Sequence, residues 1–368
     1  MVKAISEKKN NNDEITMKDQ MKKFLIKSLY GFLTVLIFGL GRRVGILDYL
    51  QEKAKSKSNT EKISSVTFTI NEVSEKLNLE RNYVDAWAHT ALECGLLEID
   101  DSCERCLRTA PYVYELLINR NQPAYIGDPL GAFYYLAPYQ ELILDAFKQD
   151  GVVPNFEFTD EVIHDINRMS ARFGTLIERL FSTNYKEFCE KLQNGGTVLE
   201  AGCGYGYNLQ VWAKKYEKVQ FVGIDIDPIA IDFAKKMVKE NNWDDRIEIH
   251  EIPINEYAKI SIKKFDLITL NQVLHEMDHD VNYRSSIFNS LYSLLKDDGI
   301  LLVGESMIPD TFAPRQKLLL FDVLHKFLEA RFANFYNEKS FKEFIDSTPF
   351  TRAEFIKEGG NSIWVIRK

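Results

Sequence analysis

The sequence predicts an α/β protein: a doubly wound, mostly parallel sheet with an antiparallel strand at one edge, preceded by a smaller α-helical module. Three observations carry this. From residue 196 onward, short apolar runs alternate with helix-period stretches. A glycine-rich turn, GCGYG, follows the first of these runs. Before residue 110, helix-period patterns dominate and end in a hairpin signal.

The 368 residues are enough for two domains, each with its own core. With 45% hydrophobic and 27% charged residues, disordered, collagenous and disulfide-scaffold classes are excluded for the bulk of the chain. A net charge of −8 disfavours nucleic acid as a general partner. Five cysteines (Cys94, Cys103, Cys106, Cys189, Cys203) are an odd number and suit a reducing cytoplasm, where the protein is expected.

Residues 1–23 are polar and read as a flexible tail. Residues 24–40, FLIKSLYGFLTVLIFGL, form an apolar run between Lys22-Lys23 and Arg42-Arg43. It falls short of the roughly 20 apolar residues of a spanning helix. A helix buried against a partner or the rest of the fold is expected, and membrane contact is disfavoured. ILDYL, at 46–50, closes a helix. Between 69 and 100, the apolar spacing of Val73, Leu77 and Leu79, then Val84, Trp87, Ala91 and Leu92, predicts two short helices around a tight turn. Gly95 provides the stop, and 96–99 can pair with 107–109. Helix, turn, helix and hairpin make a winged helix, and residues 24–110 are assigned to it. Its second helix and wing carry Glu80, Asp85, Glu93, Glu98, Asp100, Asp101 and Glu104, the wrong sign for phosphate contacts. A dimerisation or substrate-lid role fits better than DNA binding. Cys103 and Cys106 in the wing read as a chance pair of reduced thiols.

Residues 111–195 look helical and aromatic, and are punctuated by Pro123, Pro129, Pro138 and Pro154. They read as a connector, part of which can line an apolar pocket. In 196–368, strands are expected at 197–201, 221–227, 247–252, 265–271 and 299–306, and a terminal hairpin turns at Glu-Gly-Gly-Asn.

The chemistry concentrates in VLEAGCGYGYN, residues 198–208. Gly202, Gly204 and Gly206 form G-x-G-x-G after an acid, Glu200. A dinucleotide fingerprint would place its third glycine one residue later, where Tyr207 stands. A carboxylate beside the turn suits an amine-bearing cation and would repel a diphosphate. The second strand ends at Asp225, which can accept hydrogen bonds from two ribose hydroxyls. These features fit S-adenosylmethionine.

On these residues the C-terminal half resembles class I S-adenosylmethionine-dependent methyltransferases, with their Rossmann-like sheet. The whole chain resembles the winged-helix small-molecule O-methyltransferases. The resemblance covers 24–110 and 196–368; the middle matches poorly. It implies a homodimer formed through the N-terminal module and a small-molecule methyl acceptor. NQVLHEMDHD (271–280) resembles the segment whose histidine is the general base, here His275. LLVGESMIPD (301–310) and FYNEKSFKEF (335–344) resemble the segments that supply flanking acids, here Glu305 and Glu338. Glu276 and Met277 replace the family's Asp and Trp. Cofactor contacts are expected from Glu200, Gly202, Cys203, Gly204, Asp225, Ile226 and Asn271. Ile254, after Pro253, stands where adenine contacts occur, without the usual acid. His279 lies four residues after His275 but completes no metal motif, so no metal is expected.

The expected activity is methyl transfer to a hydroxyl of a small, apolar or aromatic metabolite. An imidazole with an unperturbed pKa near 6.5 suits proton removal at neutral pH. The alternatives are C- or N-methylation, or a catalytically inactive cofactor-binding scaffold.

Overall fold

The computed structural model describes residues 17–57, 65–120, 122, 125–135, 140–148, 173–308, 334–358 and 361–368. Residues 1–16 of the tail, 149–172 of the connector and the Gly359-Gly360 turn lie outside the described residues. The chain divides into two compact units, Met1–Tyr135 and Leu136–Lys368.

The first unit opens with a helix, Met17–Arg43, longer than the apolar run alone suggested, and a second, Ile46–Lys57. Strands β1 (Thr67–Thr69), β2 (Leu97–Asp100) and β3 (Cys106–Thr109) form an antiparallel sheet in the order β1-β3-β2. Between β1 and β2 lie helices Ile70–Leu77 and Arg81–Glu93. Local chemistry sets their ends. The Thr69 hydroxyl accepts from Glu72 N–H while the Glu72 carboxylate accepts from Thr69 N–H, a capping box. Asn78, at φ +52°, stops the first helix in the left-handed conformation, and the Glu80 carboxylate caps the next. Phe68, Val73, Val84, Trp87, Ala88 and Ala91 bury one face of each element. The Trp87 indole donates to the Ile37 carbonyl at 2.8 Å, which ties the long helix to this core.

Three details differ from expectation. Helix Gly127–Tyr135, assigned from sequence to the connector, belongs to this unit. The Arg42 guanidinium donates to Asp128 Oδ1 at 2.6 Å and to the Gly127 carbonyl at 3.2 Å, with Arg42 and Asp128 both buried. Cys103 and Cys106 are joined as a disulfide across the wing turn instead of standing as free thiols; their Cα atoms lie 5.4 Å apart. Within the first helix, Leu25–Arg43 is long and apolar enough to cross a membrane by length and composition, and 28% of that window is buried.

The second unit holds a seven-stranded sheet in the order β6-β5-β4-β7-β8-β10-β9. Its strands are β4 (Thr197–Ala201), β5 (Gln220–Asp225), β6 (Ile247–Glu251), β7 (Phe265–Asn271), β8 (Leu295–Gly304), β9 (Arg352–Glu358) and β10 (Asn361–Arg367). β4 to β8 are parallel, while β10 pairs antiparallel with both β8 and β9. The terminal hairpin thus adds two strands, with β9 and not β10 at the edge. Alternation along each strand feeds two cores. Val198, Phe221, Leu267 and Leu302 face one, and Leu199, Val222, Ile268 and Leu301 the other. Order reverses beside β4, between β5 and β7, so the ends of β4, β5 and β7 form the crevice where open α/β sheets bind ligands.

Candidate active site

The β4 end builds one wall. Gly202, Gly204 and Gly206 all have left-handed φ, at +73°, +48° and +75°. A side chain at Gly202 would also come within 2.4 Å of Val273, so only glycine lets the turn approach the segment after β7. Gly202 N–H and Cys203 N–H both donate to the Ile224 carbonyl, at 2.8 and 3.0 Å, which hangs the turn on β5. Gly206 then caps helix Tyr207–Lys215.

Asp225, at the β5 end, accepts three backbone N–H groups. Gly204 donates to Oδ2 at 2.7 Å; Ile226 and Asp227 donate to Oδ1 at 2.7 and 3.0 Å. A carboxylate has about four lone-pair sites, so capacity for a hydroxyl donor remains on a preset acceptor.

Glu200 is 2% exposed. Its Oε1 accepts from the Asn208 amide at 2.7 Å, and Asn208 Oδ1 accepts from Gly174 N–H at 3.0 Å. Glu200 Oε2 is buried without a hydrogen bond. So is the hydroxyl of Thr269, the residue directly beside Glu200 on β7. Burial pushes the Glu200 carboxyl up to about 8, helped by the charge of Asp225; the Asn208 amide and the dipole of the Leu209 N–H pull the other way. The Cys203 thiol is raised by burial and by the neighbouring Glu200 and Asp225 carboxyls, which disfavours its thiolate. Two orphaned polar atoms and an acid without a cationic partner among the described residues fit the ammonium of S-adenosylmethionine, and Asp225 fits its ribose.

The remaining expected contacts divide. Asn271 ends β7 beside Gly304, where a side chain would come within 2.6 Å of Asn271 Oδ1 and 2.2 Å of the Phe173 ring. Ile226 is 71% exposed. Ile254, the first residue of helix Ile254–Ile260, follows the end of β6, is 8% exposed and packs into the core with Tyr257.

His275 lies in a one-turn 3₁₀ segment, Leu274–Glu276, and is 1% exposed. Its Nδ1 meets Glu305 Oε1 at 2.8 Å, its backbone N–H donates to Oε2 at 3.2 Å, and Ser306 N–H donates to Oε1 at 2.9 Å. With Nδ1–H donating to a carboxylate, Nε2 is left as the basic nitrogen. The Phe335 ring stacks on the imidazole, centroids 5.1 Å apart and planes within 7°. Asn334 N–H donates to the His275 carbonyl at 3.0 Å. Buried Arg284 donates to the carbonyls of Met277 and Asp278, at 3.1 and 3.0 Å, and lies over the Tyr336 ring at 5.0 Å. It thereby holds both segments that flank the histidine.

Glu338 is not brought to His275. Asn337 and Ser340 form the cap of helix Glu338–Asp346, which sets Glu338 in its exposed first turn. The residue at the imidazole is Phe335, three positions earlier. His279 is exposed, and no group of three or more His, Cys, Asp or Glu side chains among the described residues is placed to hold a metal ion. Asn208, Thr269, Phe335 and Arg284 escaped the sequence reading. Thr269 had a signal, as the polar residue in the otherwise apolar alternation of Phe265, Leu267 and Thr269.

Comparison with known proteins agrees with this fold. Residues 192–339 match the family model described as a methyltransferase domain. Ribosomal protein L11 methyltransferase of Thermosipho africanus is 29% identical over 142 residues, 39% of this chain and 44% of that protein. The chain spans less than half the length of the curated relatives it matches. Among solved structures, an O-methyltransferase family protein from Burkholderia thailandensis superposes with a TM-score of 0.64 at 16% identity, covering 96% of this chain and 98% of that one. Human N-acetylserotonin methyltransferase, in complex with S-adenosylmethionine, gives 0.64 at 15% identity, covering 96% and 99%. At such identities the likeness is one of fold. It spans both the helical module and the sheet.

Proposed function

We propose that this chain, which carries a class I S-adenosylmethionine-dependent methyltransferase domain, transfers a methyl group to a hydroxyl of a small, apolar or aromatic molecule. The observation that carries the reading is the buried His275–Glu305 pair, two residues from the Val273 side chain that packs on Gly202 of the cofactor turn. Bound S-adenosylmethionine supplies an activated methyl group with a neutral thioether as leaving group. The chain's work is then placement and proton removal. Asp225 accepts the ribose hydroxyls, and Glu200 faces the ammonium. His275 Nε2 takes the acceptor's proton, while Glu305 fixes the tautomer and stabilises the imidazolium. The protein and tRNA substrates in the names of the curated relatives do not carry over well. Those matches cover 39% and 20% of this chain, and the winged helix here is acidic. A homodimer formed through the exposed apolar face of Met17–Arg43 belongs to the same proposal.

The test is incubation with methyl-labelled S-adenosylmethionine and a library of phenols, hydroxylated heteroaromatics and their amino counterparts, read by mass spectrometry. The expected product is a methyl ether. Label found only on nitrogen or carbon would move the reading to N- or C-methylation, and no label on any acceptor despite cofactor binding would favour a scaffold.

A further inference from the structure

Glu200 is an acid in an unusual position. It is 2% exposed, and one of its oxygens has no hydrogen bond. The groups that face it are the Asn208 amide and the Leu209 N–H on helix Tyr207–Lys215, the Cys203 thiol in the turn, the Asp225 carboxylate at the β5 end and the Thr269 hydroxyl beside it on β7. Among the described residues none of these is cationic, and one is a second acid. An ionised carboxylate buried without a counter-charge costs several kcal/mol, so such a group stays protonated until a cation arrives.

We propose that the cofactor's ammonium replaces a proton on Glu200, so that cofactor binding and proton release are one coupled event. This rests on the cofactor assignment above and adds the linkage. The step balances simply. The Glu200 O–H bond breaks, its proton leaves to bulk water, and the carboxylate takes an N–H of the incoming ammonium in its place. The adjacent Thr269 hydroxyl, itself without a partner, is available to donate to Oε2 once that oxygen carries charge. The carboxyl's upward shift to about 8 agrees with a neutral acid at pH 7. Below that pH the affinity rises with pH, by about tenfold per unit for one proton released.

Isothermal titration calorimetry of the full chain with S-adenosylhomocysteine tests this at pH 6.5, where the ligand's ammonium stays charged. Titration in buffers of different ionisation enthalpy reads the proton count. The wild type should release close to one proton per ligand, and Kd should fall about tenfold from pH 6 to 7. Glu200→Gln should release markedly less. 5′-Methylthioadenosine, which lacks the amino-acid group, should release none from the wild type, and this control stands even if the variant does not fold. Binding of S-adenosylhomocysteine with no more proton release than 5′-methylthioadenosine overturns the linkage while leaving the cofactor assignment intact. No binding of either ligand overturns both.

Discussion

Asp225, Glu305 and Glu338 separate recognition from chemistry. Asp225→Ala should weaken S-adenosylhomocysteine binding by about 1–3 kcal/mol, the loss of hydrogen bonds to a charged acceptor, or roughly 5–150-fold in Kd. Unchanged affinity by calorimetry would remove the ribose assignment. Glu305→Gln should lower turnover with little change in cofactor affinity, whereas Glu338→Gln should stay within about twofold of wild type, because its side chain is exposed in a helix first turn. A large turnover loss in Glu338→Gln would restore it as a partner of the histidine. His275 and Glu305 were legible because their segments, 271–280 and 301–310, resemble those of a known family and each follows a strand that reads as mostly apolar. Glu338 heads a helix whose cap Asn337 and Ser340 form, and it lies in the exposed first turn. No periodicity reports that. That Thr269 and Asn208 both flank Glu200 becomes visible only when β4, β7 and helix Tyr207–Lys215 are placed side by side.

At the scale of elements, the strands of the parallel sheet could be read from sequence because each is a short apolar run bounded by turn residues. The position of β10 between β8 and β9 could not, since antiparallel insertion leaves the same local pattern as an edge strand. Nor could the fixing of the opposite sheet end. Asp266, at the start of β7, accepts from Thr197 N–H at 2.9 Å and pairs with Lys191 and Lys296, both at 2.7 Å. Burial alone would raise its carboxyl, but the bonds from the two lysines and Thr197 win and hold it at about 2. A carboxylate depressed in the folded state contributes stability above its ordinary range near pH 4, and that contribution is lost as pH falls through about 2. Asp266→Asn should therefore lower stability by about 2–3 kcal/mol in urea unfolding at pH 7, and by much less near pH 2. Equal losses at both pH values would show that packing, not charge, is what Asp266 provides.

The whole molecule presents Leu25, Ile26, Leu29 and Phe32 at 61%, 54%, 54% and 60% exposure along its first long helix. Covering that face by a second copy predicts a species of twice 42.6 kDa in light scattering. Leu29→Glu with Phe32→Glu should shift it to the monomer mass without loss of folded structure. A monomeric wild type that floats with lipid vesicles would instead assign the face to a membrane. The rate of methyl transfer by His275→Ala, on the acceptor found in the labelled screen, tests most directly whether His275 takes the acceptor's proton. At neutral pH that rate should fall by roughly 10²–10⁴-fold, with S-adenosylhomocysteine affinity unchanged and partial recovery at high pH, where the hydroxyl ionises unaided. Transfer by His275→Ala at the wild-type rate would contradict the account.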